Sequence, residues 1–280
     1  MANAKKIVAF QGVLGAYSHQ ACVETYPNAE VLPCKTFQGA IEAVKEGRAD
    51  LAMLPVENST YGRVADIHAL LPDSGLYIIG EHYVRVHINV LALPGTDFSK
   101  VKSAMSHTVL LGQCRDFLSE HKIEAITGAD TAGSAEAVAE AGDKTMVALA
   151  SEMAGKIYGL DVLHRHIEDQ SNNTTRFLVM AKDAEQPKPS YAVKTTFVFR
   201  VRNIPAALYK ALGGFATNGV NMVKLESYMV GGSFTATQFY ADIIGHPDDP
   251  AVARALEELG YFTSHLEILG VYQEAEIAGD

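Results

Sequence analysis

The stretch Ala184-Glu185-Gln186-Pro187-Lys188-Pro189-Ser190 constrains this chain more than any other, because it divides two segments of different rhythm. Two prolines among polar residues, each fixing φ and removing a donor, make an extended connection. Residues 1–183 and 193–275 are therefore read as separate units joined by a linker over 184–192. A chain of 280 residues, 48% hydrophobic and 20% charged, can fill two globular units. The same composition excludes disordered, collagen-like and coiled-coil architectures.

Before the linker, short apolar runs alternate with helix patterns. Residues 7–10, 31–33, 51–56, 104–105, 125–126, 146–148 and 177–181 read as strands. Helices are expected near Ser18, over 40–45 and up to Leu71, with a loop at 57–62. A β-rich run over 77–93 carries no helix signal and suits a crossing between two lobes. The alternation predicts an α/β region with a largely parallel sheet, whose ligand sites lie beyond the strands' carboxyl ends. After the linker, a strand at 195–202 precedes a helix opened by Pro205 and stopped by Gly219. Strands at 220–230 and 234–244, joined at Gly231-Gly232, are followed by a helix from Pro250 to Gly260 and a strand at 265–272. The order is βαββαβ, a small ferredoxin-like unit.

Lys+Arg 23 against Asp+Glu 33 give a net charge of −10, of which −6 lies in residues 1–183. An acidic chain without basic runs is a poor partner for nucleic acid or anionic membranes, so neither is expected. No stretch approaches the ~18 apolar residues of a membrane-spanning helix. The opening Met1-Ala2-Asn3-Ala4-Lys5-Lys6 leads into an apolar run too brief for a signal peptide, and a cytoplasmic location is expected. Cys22, Cys34 and Cys114 are odd in number and far apart, which suits a reducing compartment. CxxC, HExxH and Walker patterns do not occur, and His164 with His166 would make half a zinc site. No metal and no cofactor is expected.

Polar residues gather where the strands of the first unit end: the turn at 12–18, Glu57-Asn58-Ser59-Thr60, Ser106-His107 and Asp130-Thr131. All but the second lead into helix patterns, whose first N–H groups favour a carboxylate or phosphate. Each alone is also what an ordinary helix cap looks like. Asn172-Asn173-Thr174-Thr175-Arg176-Phe177 is the sharpest signal. Arg176 could clamp a carboxylate with two parallel hydrogen bonds, with the Thr175 hydroxyl beside it. The same residues would equally suit an Asn-rich turn before an edge strand, with the arginine in water. On a helix over 108–119, Leu110, Leu111, Cys114, Phe117 and Leu118 form an apolar stripe. Cys114 is then a buried structural thiol, and Gln113 at the stripe's edge could face a cleft. Ser106 beside His107 is adjacency in sequence, not the geometry of a triad.

Taken together, these segments resemble prephenate dehydratase across nearly the whole chain. The matching stretches are residues 10–18, Leu54-Pro55-Val56-Glu57-Asn58-Ser59, Ser106-His107 with Gln113-Cys114, Asp130-Thr131-Ala132, Tyr158-Gly159-Leu160 and Thr175-Arg176-Phe177. The second unit resembles an ACT domain in Asn203-x-Pro205-Ala206-Ala207-Leu208, Gly219-x-Asn221 and Glu226-Ser227. The resemblance implies a catalytic region of two α/β lobes, like type II periplasmic binding proteins, with a βαββαβ regulatory domain. It implies decarboxylating dehydration of prephenate to phenylpyruvate in phenylalanine biosynthesis, by a cytoplasmic lyase that needs no cofactor. Thr175 would be the proton donor and Arg176 a substrate-carboxylate ligand, with Glu57 and Asn58 completing the catalytic group. Ser106, Gln113, Thr131 and Phe177 would bind or shape the site. Phenylalanine as effector would fall at Asn203, Ala207, Leu208, Gly219, Asn221, Glu226 and Ser227, in a homodimer or homotetramer built through the ACT domain.

The first strand begins within six residues of the start, which leaves no room there for the mutase domain of fused enzymes, and a monofunctional enzyme is expected. Two departures stand out. The family's customary Gly-Ala-Leu is Ala206-Ala207-Leu208 here, and its Glu-Ser-Arg-Pro is Glu226-Ser227-Tyr228-Met229. The alternatives are the same chemistry on arogenate, or a non-catalytic amino-acid- or solute-binding protein.

Overall fold

The computed structural model describes residues 5–185, 187–189, 192–229 and 236–277. The first lobe holds β1 (Ile7–Gln11), α1 (Tyr17–Thr25), β2 (Glu30–Cys34), α2 (Phe37–Lys45), β3 (Leu51–Asn58), β4 (Gly62–Arg63), α3 (Ala65–Leu70) and β5 (Tyr77–Arg85). The second holds β6 (Asn89–Ala92), β7 (Ser103–Ser106), α4 (Thr108–Gly112), α5 (Arg115–Glu120), β8 (Glu124–Thr127), α6 (Thr131–Ala141), β9 (Met146–Ala150), α7 (Glu152–Tyr158) and β10 (Asp161–His164). The chain then returns to the first lobe as β11 (Thr174–Ala181). The C-terminal unit follows as β12 (Val193–Val201), α8 (Ala207–Thr217), β13 (Met222–Met229), β14 (Ala236–Ile244), α9 (Pro250–Phe262) and β15 (Thr263–Gln273). That is the expected βαββαβ order. Among the described residues, no helix is long and apolar enough to cross a membrane.

Local chemistry accounts for most of these elements. α2 starts where the Thr36 side chain accepts from the Gly39 N–H, and it buries Ala40, Ile41, Ala43 and Val44 against β1 and β3. α9 has Pro250 in its first turn and buries Val252, Ala255 and Leu259. The expected helix over 108–119 is broken in two: Asp169 accepts from the Arg115 and Asp116 N–H groups and starts α5 afresh. Pro205 does not open α8; it precedes Ala206, which caps the helix at φ 62°. α9 runs past Gly260 to Phe262. The Gly231-Gly232 connection lies outside the described residues. His164 ends β10 against Phe98 and Phe117, whereas His166 stacks on His87 with ring centres 3.9 Å apart, so the two histidines part company.

The sheets are mixed rather than largely parallel. In the first lobe β1 runs parallel to β2 and β3, but β11 lies antiparallel between β3 and β5. In the second, β7 is parallel to β8 and β9, but β6 is antiparallel to β9 and β10. The reversed strands are those that carry the chain from one lobe to the other and back. The C-terminal sheet joins the first lobe edge to edge, with β15 parallel to β5 at Gly270 and Ile78. A side chain at Gly270 would overlap the Ile78 carbonyl, so this close approach requires glycine. Ile78, Leu178 and Met180 share one core cluster with Val198, Tyr240, Leu269 and Tyr272. The two units are thus packed through a common apolar layer.

Candidate active site

The site is built on the end of the β3–β11 ladder. Successive strand residues face opposite sides of a sheet. Thr175 and Phe177 therefore share one face of β11, and Thr174 and Arg176 the other. On the first face the Asn58 amide nitrogen donates to Thr175 Oγ1 at 2.9 Å and to Asn173 Oδ1 at 2.6 Å. The other end of the Asn58 amide accepts from the Thr60 and Tyr61 N–H groups, both at 3.0 Å. Those two backbone donors fix which end of the amide is oxygen. Thr175 Oγ1 is accordingly an acceptor towards Asn58, and its own hydrogen is left to donate elsewhere.

Asn173 also borders a cavity of about 190 Å³ between the lobes, with Thr60, Tyr61, Gly112, Gln113, Asp169 and Gln170. Gln113 Oε1 is buried there without a hydrogen-bond partner among the described residues. The Tyr61 hydroxyl reaches across to the Val109 carbonyl at 3.2 Å, joining the two lobes beside this cavity. The glycine turn before α1 closes on the second lobe as well. Gly15, at φ 89°, lies so close to α7 that a Cβ there would sit 2.8 Å from Ala154 Cα. Its carbonyl accepts from Ser151 Oγ and its N–H donates to His19 Nδ1.

The other face of β11 overturns one expectation. Arg176 is 3% exposed and points into the C-terminal unit. Its Nε donates to Glu81 at 2.6 Å, Nη1 to Glu57 at 2.9 Å and Asp242 at 2.6 Å, and Nη2 to the Tyr272 hydroxyl at 2.8 Å. Four of its five N–H donors are therefore committed, and no two parallel ones remain for a substrate carboxylate. The physical reason is the strand itself: neighbours in a strand cannot both line one cleft. Glu57 turns the same way and is bonded by Lys224 as well as Arg176. Burial alone would raise its carboxyl, but the bonds from Lys224 and Arg176 hold it below the ordinary carboxylate range. It is an ion-pair partner, not a proton source for Thr175.

The remaining residues divide. Ser106 is fully buried and donates to the Leu149 carbonyl at 2.6 Å, a bond that ties the β7 end to its neighbour. Thr131 begins α6, whose first turn is capped by Asp130 donating nothing and accepting from Gly133 N–H. Phe177 is 1% exposed and packs with Phe10, Cys22, Met53 and Val84, so it supports the site from the core and does not line it. Cys114 is buried, and burial pushes its thiol up, as a structural role requires. In the C-terminal unit, Asn203, Ala207 and Leu208 lie at the start of α8, and Gly219 and Asn221 beyond its end. Glu226 instead faces the first lobe, 3.7 Å from Arg63, and of Ser227 only the backbone carbonyl turns there, accepting from Arg63 at 2.7 Å. Sequence reading missed Asp242, Tyr272, Lys224 and Glu81. Lone polar residues in strand patterns gave no local signal that they would meet Arg176 or Glu57.

The matching family model, described as prephenate dehydratase, covers residues 8–185. A "Bifunctional N-acyl-homoserine lactone acylase/prephenate dehydratase" from Komagataeibacter europaeus is 51% identical, over 96% of each chain. "Arogenate dehydratase/prephenate dehydratase 1, chloroplastic" from Arabidopsis thaliana is 36% identical over 96% of this chain and 72% of its own length. Among solved structures, prephenate dehydratase from Arthrobacter aurescens in complex with L-Phe superposes with a TM-score of 0.87 at 31% identity, over 98% of this chain and 93% of that one. The chain belongs to the prephenate dehydratase family.

Proposed function

We infer that this chain converts prephenate to phenylpyruvate, and that Thr175 and Asn58 carry the chemistry. In that reaction the bond to the ring carboxylate breaks and CO2 leaves. Its electron pair enters the ring as the ring C–O bond breaks, and the departing hydroxide takes one proton to become water. The electrons end in an aromatic ring, so the chemistry calls for no electron-sink cofactor. What it does call for is a donor at the leaving oxygen. The observation that carries the reading is the Asn58-to-Thr175 hydrogen bond, which occupies an Oγ1 lone pair and leaves the hydroxyl hydrogen for the substrate. A threonine hydroxyl is too weak an acid to give up its proton outright, so its part is a strong hydrogen bond as charge develops on the leaving oxygen. With Arg176 turned away, the substrate carboxylates fall to neutral donors: the amides of Gln113 and Asn173, and the N–H groups opening α1, which has no side-chain cap.

The C-terminal unit is read as an ACT domain that binds phenylalanine, the ligand in the Arthrobacter complex. Asn203, Ala207 and Leu208 lie at the start of α8 and Gly219 and Asn221 beyond its end, and the helix is 11 residues long, roughly 16 Å at 1.5 Å per residue. One copy cannot close both ends around one amino acid, and a second copy can. The edge strand β13 supports such pairing, since it presents Val223, Leu225 and Met229 to solvent. Homodimer or homotetramer assembly through this unit follows.

The test is direct: incubate the purified chain with prephenate, follow phenylpyruvate, and repeat with arogenate and with phenylalanine present. Phenylpyruvate formation with a kcat/KM above that for arogenate is the expected result, and no turnover of either substrate refutes the reading. An N-acyl-homoserine lactone added to the same preparation asks whether the second activity in the Komagataeibacter relative's name extends to this chain.

A further inference from the structure

The pairing of β3 with β11 slips at the site. Thr175 lies opposite Asn58 and Arg176 opposite Glu57, but Phe177 lies opposite Pro55, which leaves Val56 as an extra residue. Pro55 has no N–H to give the ladder, and such bulges re-aim side chains next to active sites. The bulge is gripped from the C-terminal unit at two points. At the first, Arg176 is closed into a ring: it donates to Asp242 Oδ2 and to the Tyr272 hydroxyl, and Thr196 joins them, donating to Asp242 Oδ1 at 2.6 Å and bonded to Tyr272 at 2.7 Å. Asp242, Thr196 and Tyr272 are all buried. At the second, the Val56 carbonyl, which accepts from the Val64 N–H at 2.9 Å, accepts also from His68 Nε2 at 3.1 Å, and His68 Nδ1 accepts from the Tyr228 hydroxyl at 2.8 Å. Tyr228 stands where the family pattern has arginine. Its hydroxyl donates to the neutral imidazole without placing a charge beside it.

We propose that Asp242, Tyr272 and Tyr228 are positioning residues of the reaction: through Arg176 and His68 they hold the bulge that sets Thr175 against Asn58. The C-terminal unit is then part of the catalytic apparatus even with no effector bound. Arg176 and Glu57 flank the reacting pair, one on each strand, and a planar guanidinium shared between Glu57 and Asp242 fixes both strands relative to the C-terminal sheet. Misplacement of a reacting group by about 1 Å costs on the order of a hundred-fold in rate. The proposal rests on Thr175 and Asn58 being the reacting pair.

Steady-state kinetics on prephenate for Asp242→Asn, Tyr228→Phe and Thr196→Val test it. Asp242→Asn is expected to lower kcat roughly 10- to 100-fold while KM moves less than about three-fold, because neither Asp242 nor Arg176 touches substrate. Tyr228→Phe and Thr196→Val remove single hydroxyls and are expected to lower kcat about three-fold each, again with KM held. They keep the test open if Asp242→Asn fails to fold. A folded Asp242→Asn with kcat within two-fold of wild type, or a loss that falls on KM alone, overturns the proposal. If the wild type turns over neither prephenate nor arogenate, the functional reading fails on its own account. Hydrogen exchange in Asp242→Asn or Thr196→Val then decides the positioning. Faster exchange over residues 54–60 and 172–178, with residues 103–127 of the second lobe unchanged, supports it, and unchanged exchange in both segments overturns it.

Discussion

The two faces of the β3–β11 ladder do different chemistry with adjacent residues. On the face towards the lobes, Thr175, Asn58 and Asn173 form a neutral network of one hydroxyl and two amides. On the face towards the C-terminal unit, Arg176 and Lys194 meet Glu57, Glu81 and Asp242 in a charged network that is buried except at Glu57. The neutral face can reorganise hydrogen bonds around a substrate at little cost, whereas the charged face is fully paired and resists change. Catalysis needs the first property and positioning the second. One strand supplies both because its side chains alternate.

The largest expected effect breaks the neutral face. Thr175→Val removes the hydroxyl and keeps the shape, and kcat should fall roughly 10²- to 10⁴-fold, the range for losing a proton-donating group. Stability should barely move, since Thr175 is only half-buried. A kcat within a few-fold of wild type in the folded variant would remove Thr175 from the reaction.

Arg176→Met breaks the charged face, and its signature should be the reverse. It leaves Glu57 and Glu81 with one lysine each and Asp242 with no cation, and losing one partner of a buried ion pair costs about 3–5 kcal/mol. Chemical denaturation should show that loss. If Arg176 instead held a substrate carboxylate, the variant would unfold like wild type and show a raised KM.

This contrast also marks how far the sequence could be read. The alternation of strands and helices, the crossing at 77–93 and the βαββαβ unit were legible because apolar periodicity and turn residues are local signals. The motifs singled out Thr175 and Asn58 as candidates, and the fold brings the two into hydrogen-bond contact. The direction of Arg176 was legible in principle, since strand alternation alone sets it against Thr175, but its partners were not. Asp242 and Tyr272 lie 66 and 96 residues away, and only the edge-to-edge joining of β15 and β5 brings them near. The break between α4 and α5 is of the same kind, because its capping residue, Asp169, is distant in sequence. Pairing across the ladder likewise drew Glu57 and Asn58 out of the expected loop and into β3.

The pH dependence of stability sharpens the comparison at the second grip. Burial lowers the His68 imidazole below its ordinary value of 6.5. In the unfolded chain it takes a proton as pH falls through that value, and in the folded protein only at lower pH. Its contribution is therefore complete above pH 6.5 and declines as pH falls towards the folded-state value. Glu57, with its carboxyl lowered from 4.5, has the same sign in a more acidic window. His19 is lowered by burial too, so the wild-type curve alone does not isolate His68. The difference between wild type and His68→Gln does: between pH 6.5 and 5 the wild-type Tm should fall further than the variant's. Parallel curves would mean that His68 is not held neutral by its place between Val56 and Tyr228.

The smallest expected effect lies away from both faces, where the chain departs from the family's glycine. Ala206 caps α8 at φ 62°, in the left-handed region that costs a residue with a Cβ roughly 1–2 kcal/mol. Glycine would remove that strain, but it would also give the unfolded chain more freedom, an opposing effect of about 0.4–1 kcal/mol. The two leave a net gain, so Ala206→Gly should stabilise the protein by on the order of 0.5–1 kcal/mol and raise Tm slightly. Ala206 is exposed and distant in sequence from both grips on the bulge, so kcat without phenylalanine should not change. A destabilised Ala206→Gly would show that the αL cap is not strained, and a changed kcat would mean that the start of α8 reaches the site by a route other than Asp242, Tyr272 and Tyr228.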